Sequence, residues 1–280
     1  MKFITAIRLA VMMVLSAIFF SIPLVIALPL SPKWRRKVMF YPWFGFANSL
    51  KLLFGATVQV TGREYIGGEY EQHHLYICNH LSMADIPILV TVYPLPFVAK
   101  KEVMKVPIIG WAGLMSGNVS FDRSDPVARK KVVYETLRRI KEVNSIYIFP
   151  EGTRSKTGIP KAEPYLSMMA AAWTDKIDVI PMAIHGSKNV LTDLTSDVRI
   201  KLDPPMRCAD YPNADRFAQA CWSRVIEMFY ELNADAKAAG SRTAIPAEMV
   251  PPPPVTASTR LNEVFESVSQ EIHDEPSTTE

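Results

Sequence analysis

The stretch Cys78-Asn79-His80-Leu81-Ser82-Met83-Ala84-Asp85 sets an imidazole and a carboxylate five residues apart, where a β-rich run gives way to an apolar helix. An Asp bonded to one ring nitrogen fixes the tautomer and raises the basicity of the other nitrogen, which can then take a proton from an alcohol. His80 as general base and Asp85 as its orienter is one reading. Pro87 supplies the other: lacking an N–H, it belongs in a first helical turn, which would make Asp85 an N-cap and His80 an ordinary polar loop residue. Spacing alone does not separate the two.

A second chemical stretch, Phe149-Pro150-Glu151-Gly152-Thr153-Arg154-Ser155, ends another β-rich run. Gly152 permits a tight turn, Arg154 can grip a phosphate with two parallel N–H bonds, and Glu151 supplies an acceptor. The bland alternative is a strand-end loop with a surface ion pair. Between the two stretches lies Gly117-Asn118-Val119-Ser120-Phe121-Asp122-Arg123, a strand ending in a further arginine. Two strand-end arginines and a His–Asp pair suit a phosphorylated alcohol attacking an activated acyl group.

These blocks resemble those of the 1-acylglycerol-3-phosphate O-acyltransferase (lysophosphatidate acyltransferase) family of glycerolipid acyltransferases, from about Val58 to Leu202. N-H-x-x-x-x-D is Asn79–Asp85, the G-x-x-F-x-x-R-like block is Gly117–Arg123 with one extra residue, F-P-E-G-T-R-S is Phe149–Ser155, and Ile180-Pro181-Met182-Ala183-Ile184-His185-Gly186 matches V-P-x-x-x-x-G. Phe97–Glu102 and Val106–Trp111 are also similar to the family. The resemblance implies His80 as general base, Asp85 as its orienter, and Arg123, Glu151 and Arg154 at the acceptor's phosphate, with Gly152 and Thr153 shaping the site. It implies Pro181 on the acyl side, no metal or cofactor, and acyl-CoA or an acyl carrier protein as donor. The product would be phosphatidate, in phospholipid biosynthesis. Another lyso-lipid acceptor, such as a lyso-ornithine lipid, or a catalytically silent lipid-binding protein are the alternatives. The Phe-Lys-x-Gly usual after the E-G-T-R block is replaced by Gly158-Ile159-Pro160-Lys161-Ala162-Glu163-Pro164, which keeps a lysine but not the glycine and bears on headgroup or acyl selection.

Positioning these residues requires a sheet. Short β-rich runs recur at Thr57–Thr61, His74–Cys78, Phe97–Ala99, Asn118–Phe121, Ser145–Phe149, Val179–Ile184 and Val198–Leu202. Helical patterns alternate with them. One starts at Asp125-Pro126, a good N-cap and first-turn proline, with Val133, Leu137 and Ile140 on one face. Others cover Glu163–Trp173 and Ala214–Ala238. The alternation predicts an α/β fold, a central, mostly parallel sheet with helices on both faces, preceded by an N-terminal membrane-associated helical segment. Sites in such sheets gather where strands end.

Charge divides the 280 residues into three parts. Residues 1–55 carry seven basic side chains and no acid, and residues 247–280 carry a net −6. Leu9–Leu30 holds 22 uncharged residues, about 33 Å of helix against a hydrocarbon core of about 30 Å. Lys33, Arg35, Arg36 and Lys37 follow it with Trp34, which places the C-terminal side on the cytoplasmic face of the inner membrane. Val38–Leu50 is too short to span, and its aromatics suit the headgroup zone. Two pictures stand: a spanning helix plus an interfacial one, or a two-helix element dipping into one leaflet. A cleaved signal peptide fits poorly, because the apolar run is too long and no A-x-A site follows. Residues 56–246 are then the acyltransferase domain, expected to stay folded without the anchor. Residues 247–280 are a Pro-rich linker and an acidic, disordered tail. Basic charge beside an apolar segment indicates an anionic membrane surface as partner and no nucleic acid. Three scattered cysteines exclude a disulfide framework and suggest a reducing compartment. The chain has no G-x-S-x-G, C-x-x-C, H-E-x-x-H, G-x-G-x-x-G or P-loop. His73 and His74, near His80, would point to opposite faces of a strand, which argues against a metal cluster.

Overall fold

Apolar side chains at every second position make half-buried or buried strands, and those at 3.6-residue spacing make helices that cover them. The computed structural model describes residues 2–71, 73–121 and 126–246 and realises both patterns. In chain order the elements are α1 (Lys2–Ala27), α2 (Pro32–Leu53), β1 (Ala56–Thr61), β2 (Leu75–Cys78), α3 (Asp85–Val92), β3 (Val98–Lys100), α4 (Lys101–Met104), α5 (Ile109–Met115), β4 (Val119–Phe121), α6 (Pro126–Glu142), β5 (Ile146–Ile148), α7 (Ser167–Thr174), β6 (Val179–His185), β7 (Ser196–Leu202) and α8 (Ala214–Ala238). All seven expected strands are present. The helix expected from Glu163 begins at Ser167 instead, and the segment before it is held to the Phe149 block by Tyr165 N–H on Pro150 O at 2.8 Å. The Asp125 cap and the acidic tail lie outside the described residues.

The main sheet runs β1-β7-β6-β2-β5, and β3 and β4 form a parallel pair joined to it by a bridge between Phe97 and Tyr147. Its pairs are parallel except β6–β7. That reversal brings the starts of β1 and β7 to the edge where β2, β5 and β6 end. β2 shows how the sheet divides two cores: Tyr76 and Cys78 face α2 and α3, while Leu75 and Ile77 face α6, α7 and α8. On α6 the buried stripe is Val132, Leu137 and Ile140, with Val133 half-buried.

The first two helices pack onto this frame. Met39, Trp43, Phe46, Ala47 and Leu50 of α2 are buried in the same core as Tyr76 and Ile180. Trp43 Nε1 donates to Ser116 Oγ at 2.6 Å. α1 lies against α2, with Phe20 ring-to-ring on Trp43 at 4.7 Å and on Phe46 at 5.2 Å. Near its start the buried Arg8 donates to Val190 O and Asp193 O at 3.1 and 2.8 Å. The outward stripe of α1, Val14, Ile18, Ile22 and Val25, is 60–72% exposed. Ala6–Ala27 is long and apolar enough to cross a membrane.

Candidate active site

β2 ends at Cys78, and the chain turns before α3. Asn79, fully buried, steadies that exit: its side chain donates to Ile184 O at 2.9 Å and accepts Ile184 N–H at 2.8 Å, so it substitutes for a strand partner beside the end of β6. The next residue is His80. Its Nδ1 lies 2.7 Å from Asp85 Oδ2, which also accepts the N–H groups of Leu81 at 2.7 Å and Ser82 at 2.8 Å. A carboxylate accepts only, so Nδ1 is the donor of this bond, and in the neutral ring Nε2 is the nitrogen with the lone pair. Asp85 is the first residue of α3 and makes no cap bond to that helix; it folds back on the turn that carries His80. The carboxylate thus sits on the imidazole and on the turn before the helix rather than over the helix N-terminus.

Asp85 is wholly buried, and its Oδ1 accepts the hydroxyl of Ser187 at 2.5 Å. The His80 side chain is 14% exposed and stacks on Phe149, centroids 4.2 Å apart and planes 18° from parallel. Phe149 opens the second block, at the neighbouring end of β5. There Gly152 N–H closes a tight turn onto Phe149 O at 2.9 Å, and Gly152 holds φ +63° with the Tyr165 ring where a Cβ would sit. Only glycine meets both demands readily.

Glu151, 1% exposed, points inward rather than to solvent. Oε1 accepts His80 N–H at 2.7 Å and Oε2 accepts Lys161 N–H at 3.2 Å. Burial pushes its carboxyl up to about 7 in spite of these two donors. Lys161 Nζ donates to Glu151 O at 3.0 Å and to the Thr153 hydroxyl, so the lysine noted in the divergent segment folds under the same turn. Thr153, Arg154, Ser155, Lys156, Thr157 and Lys161 border an open cleft of about 640 Å³ beside the His80 turn. Arg154 and Lys156 are exposed along it.

Of the residues expected from sequence, His80, Asp85, Glu151, Gly152, Thr153 and Arg154 converge on the ends of β2 and β5. Arg123 lies outside the described residues. Pro181 is not brought to the cleft: it is buried within β6 opposite Ile77, below the edge that carries His80, and its carbonyl accepts Asp203 N–H at 3.2 Å. Ser187, Phe149 and Asn79 were not singled out by type or spacing. Cys78 stands next to the turn, but burial and the carboxylates of Asp85 and Glu151 raise its thiol well above the ordinary range, so it is no nucleophile.

Residues 57–185, which include both blocks, match the family model described as Acyltransferase. The match covers just under half of the chain. The acyltransferase segment is similar to a 1-acyl-sn-glycerol-3-phosphate acyltransferase of Cocos nucifera, 30% identical over 172 residues that cover 58% of this chain and 54% of that protein. A lyso-ornithine lipid O-acyltransferase of Rhodobacter capsulatus is 27% identical over 197 residues, 60% of this chain and 71% of the relative. The chain spans 33–58% of the length of the plant relatives it matches. The acyltransferase fold itself is that of the crystal structure of the 1-acyl-sn-glycerophosphate (LPA) acyltransferase PlsC from Thermotoga maritima, with a TM-score of 0.71 at 20% identity over 83% of this chain and 96% of that one.

Proposed function

We propose that this chain is a membrane-bound enzyme that moves a fatty acyl group from a thioester, of CoA or of an acyl carrier protein, to the free hydroxyl of 1-acylglycerol 3-phosphate, giving phosphatidate. The observation that carries the reading is the His80–Asp85 pair, tied through His80 N–H to Glu151 Oε1 and Ser155 N–H to His80 O, each at 2.7 Å, to the turn that carries Arg154. His80 Nε2 takes the acceptor's hydroxyl proton as its oxygen attacks the thioester carbonyl. A C–O bond forms, the C–S bond breaks, and the departing thiolate takes the proton back from His80. The Asp85 carboxylate faces the imidazolium that exists between these transfers. Arg154, and Arg123 by its place in the resembling block, bind the acceptor phosphate. Glu151 and Gly152 hold the turn that presents Arg154, and Thr153 fixes Lys161 beneath it.

The membrane part of the proposal rests on the outward stripe of α1 and on exposed Lys33, Trp34 and Lys37 at the α1–α2 turn. Because α2 packs along the sheet and α1 along α2, attachment in one leaflet fits better than a span. The basic turn favours the cytoplasmic side of the inner membrane.

The similarity to the lyso-ornithine lipid acyltransferase, which extends over 71% of that relative, supports a second acceptor of that class. The test is acyl transfer by the full chain in mixed micelles, with CoA and carrier-protein thioesters against a panel of lyso-lipids. Phosphatidate from 1-acylglycerol 3-phosphate is the expected product. Transfer to lyso-ornithine lipid alone selects the second reading, and transfer to none overturns both.

A further inference from the structure

We infer that Ser187 is a positioning residue for the proposed transfer, acting on His80 through Asp85; this rests on the His–Asp reading above. The carboxylate of Asp85 is unevenly served. Oδ2 receives three donors, His80 Nδ1 and the N–H groups of Leu81 and Ser82, all from its own turn. Oδ1 receives the Ser187 hydroxyl, from a loop 102 residues further along. Three donors on one oxygen fix where that oxygen sits. They leave the carboxyl plane to be set by what holds the other oxygen, and that plane determines the angle at which the imidazole meets Oδ2.

Ser187 is built to do this. It is fully buried and stands two residues past the end of β6. Gly186 before it has φ +81°, and a Cβ there would lie 2.1 Å from Asp197 O, so the exit from β6 has one available path. Val190 N–H closes a turn on Ser187 O at 3.3 Å, and the carbonyls of Val190 and Asp193 are gripped by Arg8. The serine is thus held from both sides, and its hydroxyl proton is aimed at an acceptor with no other donor among the described residues. A hydroxyl that only closed its own loop would bond within that loop; this one crosses to the carboxylate.

The experiment uses the full chain with oleoyl-CoA and 1-oleoylglycerol 3-phosphate in mixed micelles. Ser187→Ala is expected to lower kcat by about ten- to a hundredfold, the span of one hydrogen bond to a charged group, with both KM values within about twofold. Ser187→Thr, which restores the hydroxyl, is expected to recover most of the rate. In the Asp85→Asn background Ser187→Ala is expected to cost little more, because groups acting through one another are not additive. A second readout needs no turnover: in a ¹⁵N-histidine spectrum, the Nδ1 proton assigned by its loss in His80→Ala is expected to exchange with solvent at least about tenfold faster in Ser187→Ala, as for a weakened hydrogen bond. If Ser187→Ala does not fold, Ser187→Cys keeps the shape with a poor donor and takes the same measurements. Wild-type kcat and an unmoved Nδ1 proton in these variants would overturn the assignment, as would full additivity with Asp85→Asn. Full activity of His80→Ala would instead sink the His–Asp reading itself, and is recognised separately.

Discussion

Glu151 Oε1 accepts the backbone N–H of His80 at 2.7 Å, while Ser155 N–H returns to the His80 carbonyl at 2.7 Å. The two blocks that carry the proposed chemistry, 71 residues apart, are therefore clamped to each other through the backbone of the base itself. In the proposed mechanism the glutamate acts first on the position of His80, and on the phosphate only through the turn it anchors.

His80→Ala is expected to lower acyl transfer by about 10²–10⁴ with folding and vesicle binding intact, the usual cost of a lost general base. Asp85→Asn is expected to reduce kcat far more than acceptor affinity, since it removes the carboxylate charge that faces the imidazolium while its amide oxygen can still accept the Leu81 and Ser82 N–H groups. Steady-state kinetics beside circular dichroism and vesicle flotation measure both. Near-normal turnover of well-folded His80→Ala contradicts the mechanism.

Arg154→Lys is expected to raise the KM for a phosphate-bearing acceptor by about tenfold, because an ammonium cannot reproduce a bidentate guanidinium contact. The donor KM should stay put. A change confined to the donor would assign Arg154 to the thioester side.

The buried carboxyl of Glu151 gives a pH-dependent stability of defined sign. An unfolded glutamate binds its proton near 4.5, the folded one near 7. Between these values the folded chain holds the extra proton, so stability falls as pH rises: the penalty is absent below 4.5 and complete above about 7. Relative to Glu151→Gln, the wild type should lose up to about 3 kcal/mol across that window. Denaturant titrations at both ends measure it, and a flat difference refutes it.

Asn79→Ala removes both bonds to Ile184 and leaves a buried N–H and C=O unpaired. It is expected to destabilise the fold by about 2–4 kcal/mol, read from the urea midpoint. A loss of activity without that shift would point instead to a direct role in catalysis.

Strand positions were legible because Leu75, Ile77, Val198 and Ile200 follow the period of the pleat, and the His80 and Glu151 blocks announced themselves by residue type. Ser187 did not, since a serine 102 residues from its partner leaves no local spacing to read. The anchor was legible by composition but not by packing. Charge marks a boundary near residue 55, whereas Trp43, Phe46 and Leu50 share a core with the sheet. Because that core is shared, deleting 1–55 is expected to destabilise residues 56–246, and a denaturant titration of the truncated chain measures by how much. Similarly, of the four basic residues at the turn, Arg35 donates to Ala27 O and Leu28 O at the end of α1, and Arg36 is half-buried over α3. Lys33 and Lys37 are left for lipid, and neutralising those two should lower binding to anionic vesicles by about 2 kcal/mol.

The reversal between β6 and β7 has a geometrical consequence for such an attachment. It starts β1 at the edge where β2 and β5 finish, and only Phe54 and Gly55 separate α2 from β1. With α1 and α2 seated in a lipid surface, His80 is joined to that surface by a short, stiff strut rather than by slack chain. Height and tilt above the headgroups are then constants of the fold. An acceptor that never leaves the bilayer is found by lateral diffusion alone, a search in two dimensions instead of three.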